Sequence, residues 1–228
     1  MAAVCGSLEA IRIIANELED KNPPAKKLSY YTPLHFATVQ NHIECMEYIL
    51  ELPGIDANTK AYLGRTPLHI AAEHGHIQAV KCLLKHVTNK NPPLDEDGKL
   101  WTPLHYACDQ GHLEIVKYLI SESKQTSPLT INHWTPLHIA VGANQVEIVK
   151  FLCSEELICD PNAQTIEGWT CAHLAAKMDH LSCLRTLSEH KDIDLNVTDN
   201  TNQTPFQLAI ESENNRIVDF FMDKCLKH

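Results

Sequence analysis

TPLHIAAEHGHIQAVKCLL, residues 66–84, is the stretch on which the fold turns. Thr66 suits a helix N-cap, because its side-chain oxygen can take a bond from one of the orphan N–H groups of the first turn. Pro67 follows at the first helical position, where no N–H is needed. Ala71 is small and lets a neighbouring helix approach closely. Gly75 tolerates the left-handed conformation that ends a helix. Beyond it Ile77, Val80, Leu83 and Leu84 fall at i, i+3, i+6 and i+7, one face of an amphipathic helix. Two short helices joined by a tight turn are predicted.

The same programme recurs outward from this stretch. TPLH also occurs at Thr32–His35, Thr102–His105 and Thr135–His138, and it degrades to TCAH at Thr170–His173 and TPFQ at Thr204–Gln207. The intervals are 34, 36, 33, 35 and 34 residues. Small residues repeat at Ala37, Ala107, Ala140, Ala175 and Ala209, and turn residues at Asn41, Gly111, Asn144 and Asp179, with a less suitable Glu213 in the last copy. Outer-helix sets repeat as Ile43, Met46, Ile49, Leu50, then Leu113, Val116, Leu119, Ile120, then Val146, Val149, Leu152, Cys153. Leu8, Ile11, Ile14 and Ala15 read as the second half of a further unit. One unit cannot bury its apolar face alone, so neighbours must stack. The expected partition is a partial unit over about 1–26, then repeats over about 27–60, 61–96, 97–129, 130–164, 165–198 and 199–228, all in one domain. A chain that opens in mid-repeat is expected of a fragment of a longer protein; a small free-standing protein is the alternative.

The pattern T-P-L-H-x-A-A…G-H-x-x-I/V-V-K-x-L-L resembles the ankyrin repeat, and Thr66–Ala72 with Gly75-His76, and Gly111–Lys117, match it almost throughout. The resemblance implies an all-α solenoid of helix–turn–helix units with β-hairpin fingers, binding partners on a concave face of fingers and inner helices. It also implies that the motif histidines His35, His69, His105, His138 and His173 tie neighbouring units together. It further implies asparagine hydroxylation by an oxygen-sensing dioxygenase, for which Asn58, with Asp56 and Leu50 before it, fits best. Gln207 and Asn215 make the last repeat more polar, as suits a cap.

Composition narrows the function. Of the 228 residues 44% are hydrophobic, enough for a substantial core. The formal charge of −10 disfavours nucleic acid and anionic membranes, and favours a basic protein or peptide partner. No like-charge block occurs, so the acidity also reads as a solvated surface. Nine cysteines without C-x-x-C argue for free thiols, hence a cytoplasmic or nuclear setting. No run of about 18 apolar residues predicts a membrane span. Nine of the fourteen histidines sit at two repeat positions, which gives them a structural reading before a metal one. No phosphate-cradling glycine loop or catalytic signature appears, so no cofactor and no enzyme activity are expected.

The residue before each motif threonine is Tyr31, Arg65, Trp101, Trp134, Trp169 or Gln203, so all three tryptophans share one position. Tyr, Trp and Arg dominate interface hot spots, although Trp here also suits packing on the next finger. Inner-helix tails supply a second set: Glu73 and His74, Asp109 and Gln110, Lys177 and Met178. Carboxylates near an indole suit a Lys- or Arg-bearing partner, and Gly142 with Ala143 suggests a shallow pocket beside Trp134. A monomeric interaction scaffold follows. The alternative is a substrate-recruiting segment of a larger enzyme, effector or channel.

Overall fold

The computed structural model describes residues 8–9, 12, 30–94, 98–154 and 159–225. Most of the partial unit over 1–26, and the acidic run Asp95–Asp97, lie outside the described residues. Twelve α-helices are described: α1 (Pro33–Val39), α2 (Ile43–Glu51), α3 (Pro67–Glu73), α4 (Ile77–Leu83), α5 (Pro103–Asp109), α6 (Leu113–Ser123), α7 (Pro136–Gly142), α8 (Val146–Leu152), α9 (Cys171–Lys177), α10 (Leu181–Leu187), α11 (Pro205–Glu211) and α12 (Asn215–Cys225). Odd-numbered helices are the inner ones and even-numbered helices the outer ones. Residues 1–107 with 114–124 form one compact unit, and residues 108–113 with 125–228 form another. In the first, α1 packs on α2 and α3, and α4 packs on α2 and α3. In the second, α9 packs on α7, α10 and α11, and α8 on α7 and α10.

The motif threonine caps its helix through the histidine. The Thr32 N–H donates to His35 Nδ1 at 3.2 Å, and the Thr32 hydroxyl lies 2.8 Å from the same nitrogen. Because Nδ1 accepts the amide proton, the neutral ring carries its own proton on Nε2. That nitrogen lies 3.0 Å from the Arg65 carbonyl, in the next repeat, and donates to it. His138 joins Trp169 O at 3.2 Å and His173 joins Gln203 O at 3.0 Å in the same way. At His69 the carbonyls of Trp101 and Pro92 take that place, although no bond of standard geometry forms at its Nε2. Burial pushes the His35 and His138 imidazoles down to about 4 and His69 to about 3, outweighing the carbonyls that favour the charged ring; His173 is lowered likewise. Gln207 repeats half of this arrangement, its Oε1 accepting the Thr204 N–H at 2.8 Å.

A second tie joins the repeats just after each turn. His76 Nε2 donates to Val39 O at 3.1 Å, Gln145 Nε2 to Asp109 O at 3.0 Å, His180 Nδ1 to Val141 O at 2.8 Å, and Asn214 Nδ2 to Ala176 O at 2.7 Å. These donors satisfy carbonyls at the end of the preceding inner helix, which have no partner within their own helix. The turn residue is left-handed in every described copy: Asn41, Gly75, Gly111, Asn144, Asp179 and Glu213 all have φ between 55° and 81°. Glu213 therefore adopts the conformation despite its side chain.

The buried face of the outer helices is turned slightly from the expected one. Met46, Ile49, Val80, Leu83, Val116, Leu119, Val149 and Leu152 are buried as expected, but the first residue of each set is only half-buried. The position two residues on is buried instead: Cys45, Ala79, Ile115, Ile148 and Cys183. Each fully buried aliphatic side chain contributes roughly 1.5–3 kcal/mol relative to exposure.

Candidate interaction surface

The fingers are tight turns held by backbone hydrogen bonds, with no extended strand among the described residues. The carbonyl one residue before the motif threonine accepts the amide five residues before that threonine in four fingers, Ala61 to Arg65 at 2.8 Å, Thr130 to Trp134 at 3.0 Å, Thr165 to Trp169 at 2.9 Å and Asp199 to Gln203 at 2.9 Å, and the amide eight before it in the longer third-repeat finger, Leu94 to Trp101 at 2.8 Å. The residue two before the threonine is left-handed in each finger, namely Tyr30, Gly64, Leu100, His133, Gly168 and Asn202. In the second unit consecutive fingers touch, the Ile166 N–H donating to Asn132 O at 3.2 Å and the Asn200 N–H to Glu167 O at 3.1 Å. At Gly168 a Cβ would lie 2.7 Å from the Asn200 backbone nitrogen, so the close approach itself requires glycine.

Tyr31, Arg65, Trp101, Trp134 and Trp169 are all half-buried. Arg65 donates to the Glu73 carboxylate eight residues on, and its guanidinium lies 5.4 Å from the Tyr106 ring centre. Trp101 meets Tyr106 edge-on at 5.1 Å. Glu73 is thus already partnered within its own repeat, and an incoming cation would compete with Arg65 for it. Gln203 donates to Glu211 across the same eight-residue span, at 2.9 Å.

The Trp134 ring lies beside Gly142, 3.6 Å from where a Cβ there would be. Trp169 donates its indole N–H to Asp199 Oδ2 at 3.2 Å. Burial alone would raise the Asp199 carboxyl, but the Gln203 amide, the Thr201 hydroxyl and amide and this indole hold it below the usual carboxylate range. The tryptophan position therefore combines packing within the repeats with a half-exposed edge. Of the inner-helix tail residues, His74, Gln110, Lys177 and Met178 are exposed, and Asp109 is half-buried, its Oδ2 taking a bond from Gln110 Nε2 at 2.6 Å.

Most of the exposed large apolar side chains lie on the fingers, away from the positions named from the sequence. The exposed large apolar side chains among the described residues are Tyr30, Tyr62, Leu63, Leu129, Ile131, Ile166, Met178, Ile210 and Met222. The first six stand on fingers, Met178 and Ile210 belong to inner helices or their ends, and Met222 alone stands on an outer helix. The available signal was an apolar residue within the turn-forming segment before the motif threonine, where the repeat core has no use for it.

Asn58 N–H donates to Asp56 Oδ1 at 2.8 Å, an arrangement repeated at Asn162 with Asp160 and at Asn196 with Asp194. Asn162 Oδ1 accepts the Asp194 N–H of the next repeat at 2.8 Å. The residue equivalent to Asp194 in the third repeat is Asn89, whose Oδ1 takes the Asn91 N–H at 3.1 Å in the same kind of turn. Asn58 Oδ1 is buried without a hydrogen-bond partner, whereas Asn162 Oδ1 has one.

Among the described residues no group of three or more His, Cys, Asp or Glu is placed to hold a metal ion, and no helix is long and apolar enough to cross a membrane. The seven described cysteines outside masked side chains are free thiols. Burial pushes Cys183 up to about 11 and Cys153 to about 12, which keeps them protonated and unreactive.

Family models for ankyrin repeats match residues 52–129, 88–164 and 153–227, and a single-repeat model matches residues 29–59. Curated relatives include the NF-kappa-B inhibitor cactus of Drosophila yakuba and of Drosophila melanogaster, each 35% identical over 72 residues. That match covers 31% of this chain and only 14% of either relative. Among solved structures, the ankyrin repeat domain of Bcl-3, described as a unique member of the IkappaB protein family, has a TM-score of 0.77 at 25% identity and covers 91% of both chains. The human ASB11 ankyrin repeat domain has a TM-score of 0.75 at 23% identity, covers 91% of this chain and 89% of its own, and is alike in fold.

Proposed function

The chain belongs to the ankyrin-repeat family and is a protein-binding scaffold, and from that premise we propose that its partner docks on the fingers and the exposed ends of the inner helices. The observation that carries this reading is the placement of exposed apolar side chains: all but Met222 of the large ones described lie on fingers or inner helices. Contiguous exposed apolar residues rimmed by polar ones mark interaction sites. In the first unit the half-buried Tyr31, Arg65 and Trp101 with the exposed His74 would meet the partner, and in the second the half-buried Trp134, Trp169 and Asp109 with the exposed Gln110, Lys177 and Met178. Glu73 contributes by exchanging Arg65 for a partner's cation.

The partner we favour is a basic protein surface, on the strength of the formal charge of −10. The name of the curated relatives, NF-kappa-B inhibitor, makes an NF-kappa-B subunit the first probe. Titration of a purified NF-kappa-B dimer with this chain should give saturable binding that weakens as salt rises. Replacing Leu129, Ile131 and Ile166 together by serine should abolish it, whereas Met222→Ser should leave it unchanged. Equal binding by the triple variant would overturn the docking face; no binding by the wild type would reject the NF-kappa-B probe alone. The free thiols suit a cytoplasmic or nuclear setting. Asn58, whose buried side-chain oxygen has no hydrogen-bond partner, is the position we propose for side-chain modification.

A further inference from the structure

Six Ser-Pro or Thr-Pro pairs occur in the chain, beginning at Thr32, Thr66, Thr102, Ser127, Thr135 and Thr204. The fold closes five of them. Thr32, Thr66, Thr102 and Thr135 are at most 5% exposed, and their hydroxyls sit 2.8–3.0 Å from the Nδ1 of the motif histidine. Thr204 is less buried, but its hydroxyl accepts the Gln207 N–H at 3.3 Å, and Pro205 is already the first residue of α11. None of these hydroxyls can enter an extended substrate cleft while its helix stands.

Ser127 is the exception. It follows the end of α6 at Ser123 and is exposed. Pro128 restricts it to extended backbone. Ser127, Pro128 and Leu129 make no backbone–backbone hydrogen bond to another described residue. Gln125, Ser127 and Leu129 are exposed while Thr126 and Pro128 are half-buried, the alternation of an extended chain. The hydroxyl's neighbour is the Cys159 thiol, a weak hydrogen-bonding group that does not fix it.

We propose that Ser127 is a phosphorylation site, modified by a serine/threonine kinase of the proline-directed class. In the transfer, Ser127 Oγ attacks the γ-phosphorus of Mg²⁺-bound ATP. The bond from that phosphorus to the bridging oxygen breaks, ADP leaves with the electron pair, and the hydroxyl proton passes to the kinase's catalytic aspartate. The product carries roughly two negative charges, two residues before the exposed Leu129. Its effect on docking rests on the reading above; the site itself does not.

The test is to incubate the full chain with ATP and a purified proline-directed kinase and to locate phosphate by fragment mass spectrometry. A single phosphate on Ser127 is expected, lost in Ser127→Ala and in Pro128→Ala, which keeps the hydroxyl. Incorporation into Ser127→Ala at the wild-type level would overturn the assignment. So would phosphate that enters only after the chain has been unfolded, since that would place Ser127 among the sites the fold closes.

Discussion

Acidification from pH 7 to pH 5 should weaken the fold through the motif histidines. In the unfolded chain a histidine titrates near 6.5, whereas burial holds His35 and His138 at about 4 and His69 at about 3 in the folded state. Between these values the unfolded state binds more protons, so stability falls as pH falls. It is fully present above about pH 7 and is lost progressively until the folded-state values are reached. Over the two pH units each histidine removes about 2 kcal/mol, and the three together about 6 kcal/mol. That is comparable with the whole net stability of an ordinary domain, about 5–15 kcal/mol. Urea unfolding followed by circular dichroism at pH 7, 6 and 5 measures the loss. His138→Gln supplies the control, because Gln207 already accepts the cap amide at its own repeat position without titrating. The variant should lose about 2 kcal/mol less than the wild type between pH 7 and 5. An unchanged wild-type urea midpoint, or an equal loss in the variant, would refute the buried neutral-imidazole account.

Gly168→Ala should cost about 1–3 kcal/mol, since the new Cβ would meet Asn200 N at 2.7 Å at a φ of +82°; an unaltered urea midpoint would contradict the finger contact. Asp199→Ala should cost about 1–2 kcal/mol and shift the emission of Trp169 to the red, by freeing its indole. That emission is read with Trp101 and Trp134 changed to Phe, and an unmoved spectrum would place the indole elsewhere. Incubation with an asparagine-hydroxylating dioxygenase should add one oxygen at Asn58 and none at Asn162, whose amide is bonded on both sides; the reverse preference would break the link between the unpartnered Oδ1 of Asn58 and its modification.

The repeat and its caps were legible because short-range chemistry fixes them. Thr, Pro and the small residue act within one turn of each other, and their spacing survives in the linear chain. The outer-helix face was read slightly off, because Cys45, Ala79 and Ile115 are buried by the neighbouring repeat, which periodicity within one helix does not reveal. The site was legible only in part. The half-buried aromatic and Arg65 residues followed from one shared position, but Arg65 neutralising Glu73, Trp134 lying beside Gly142 and Trp169 reaching Asp199 depend on the fold bringing distant residues together. The apolar finger residues Ile131 and Ile166 share with Tyr62 the position four before the motif threonine, but Gly98 and Asn200 occupy it in other repeats, so the position carries no fixed chemistry that would single it out in the linear chain. That Asn58 Oδ1 lacks a partner while Asn162 Oδ1 has one depends on the fit between repeats, which the linear sequence does not show.

Site-specific photo-crosslinking from the surface of the folded chain is the most direct test of how it binds. A photoreactive residue at Ile131 or Met178 should capture the same discrete protein, and one at Lys150, exposed on outer helix α8, should capture none. Adducts formed from Lys150 and absent from Ile131 and Met178 would contradict docking on the fingers and inner helices.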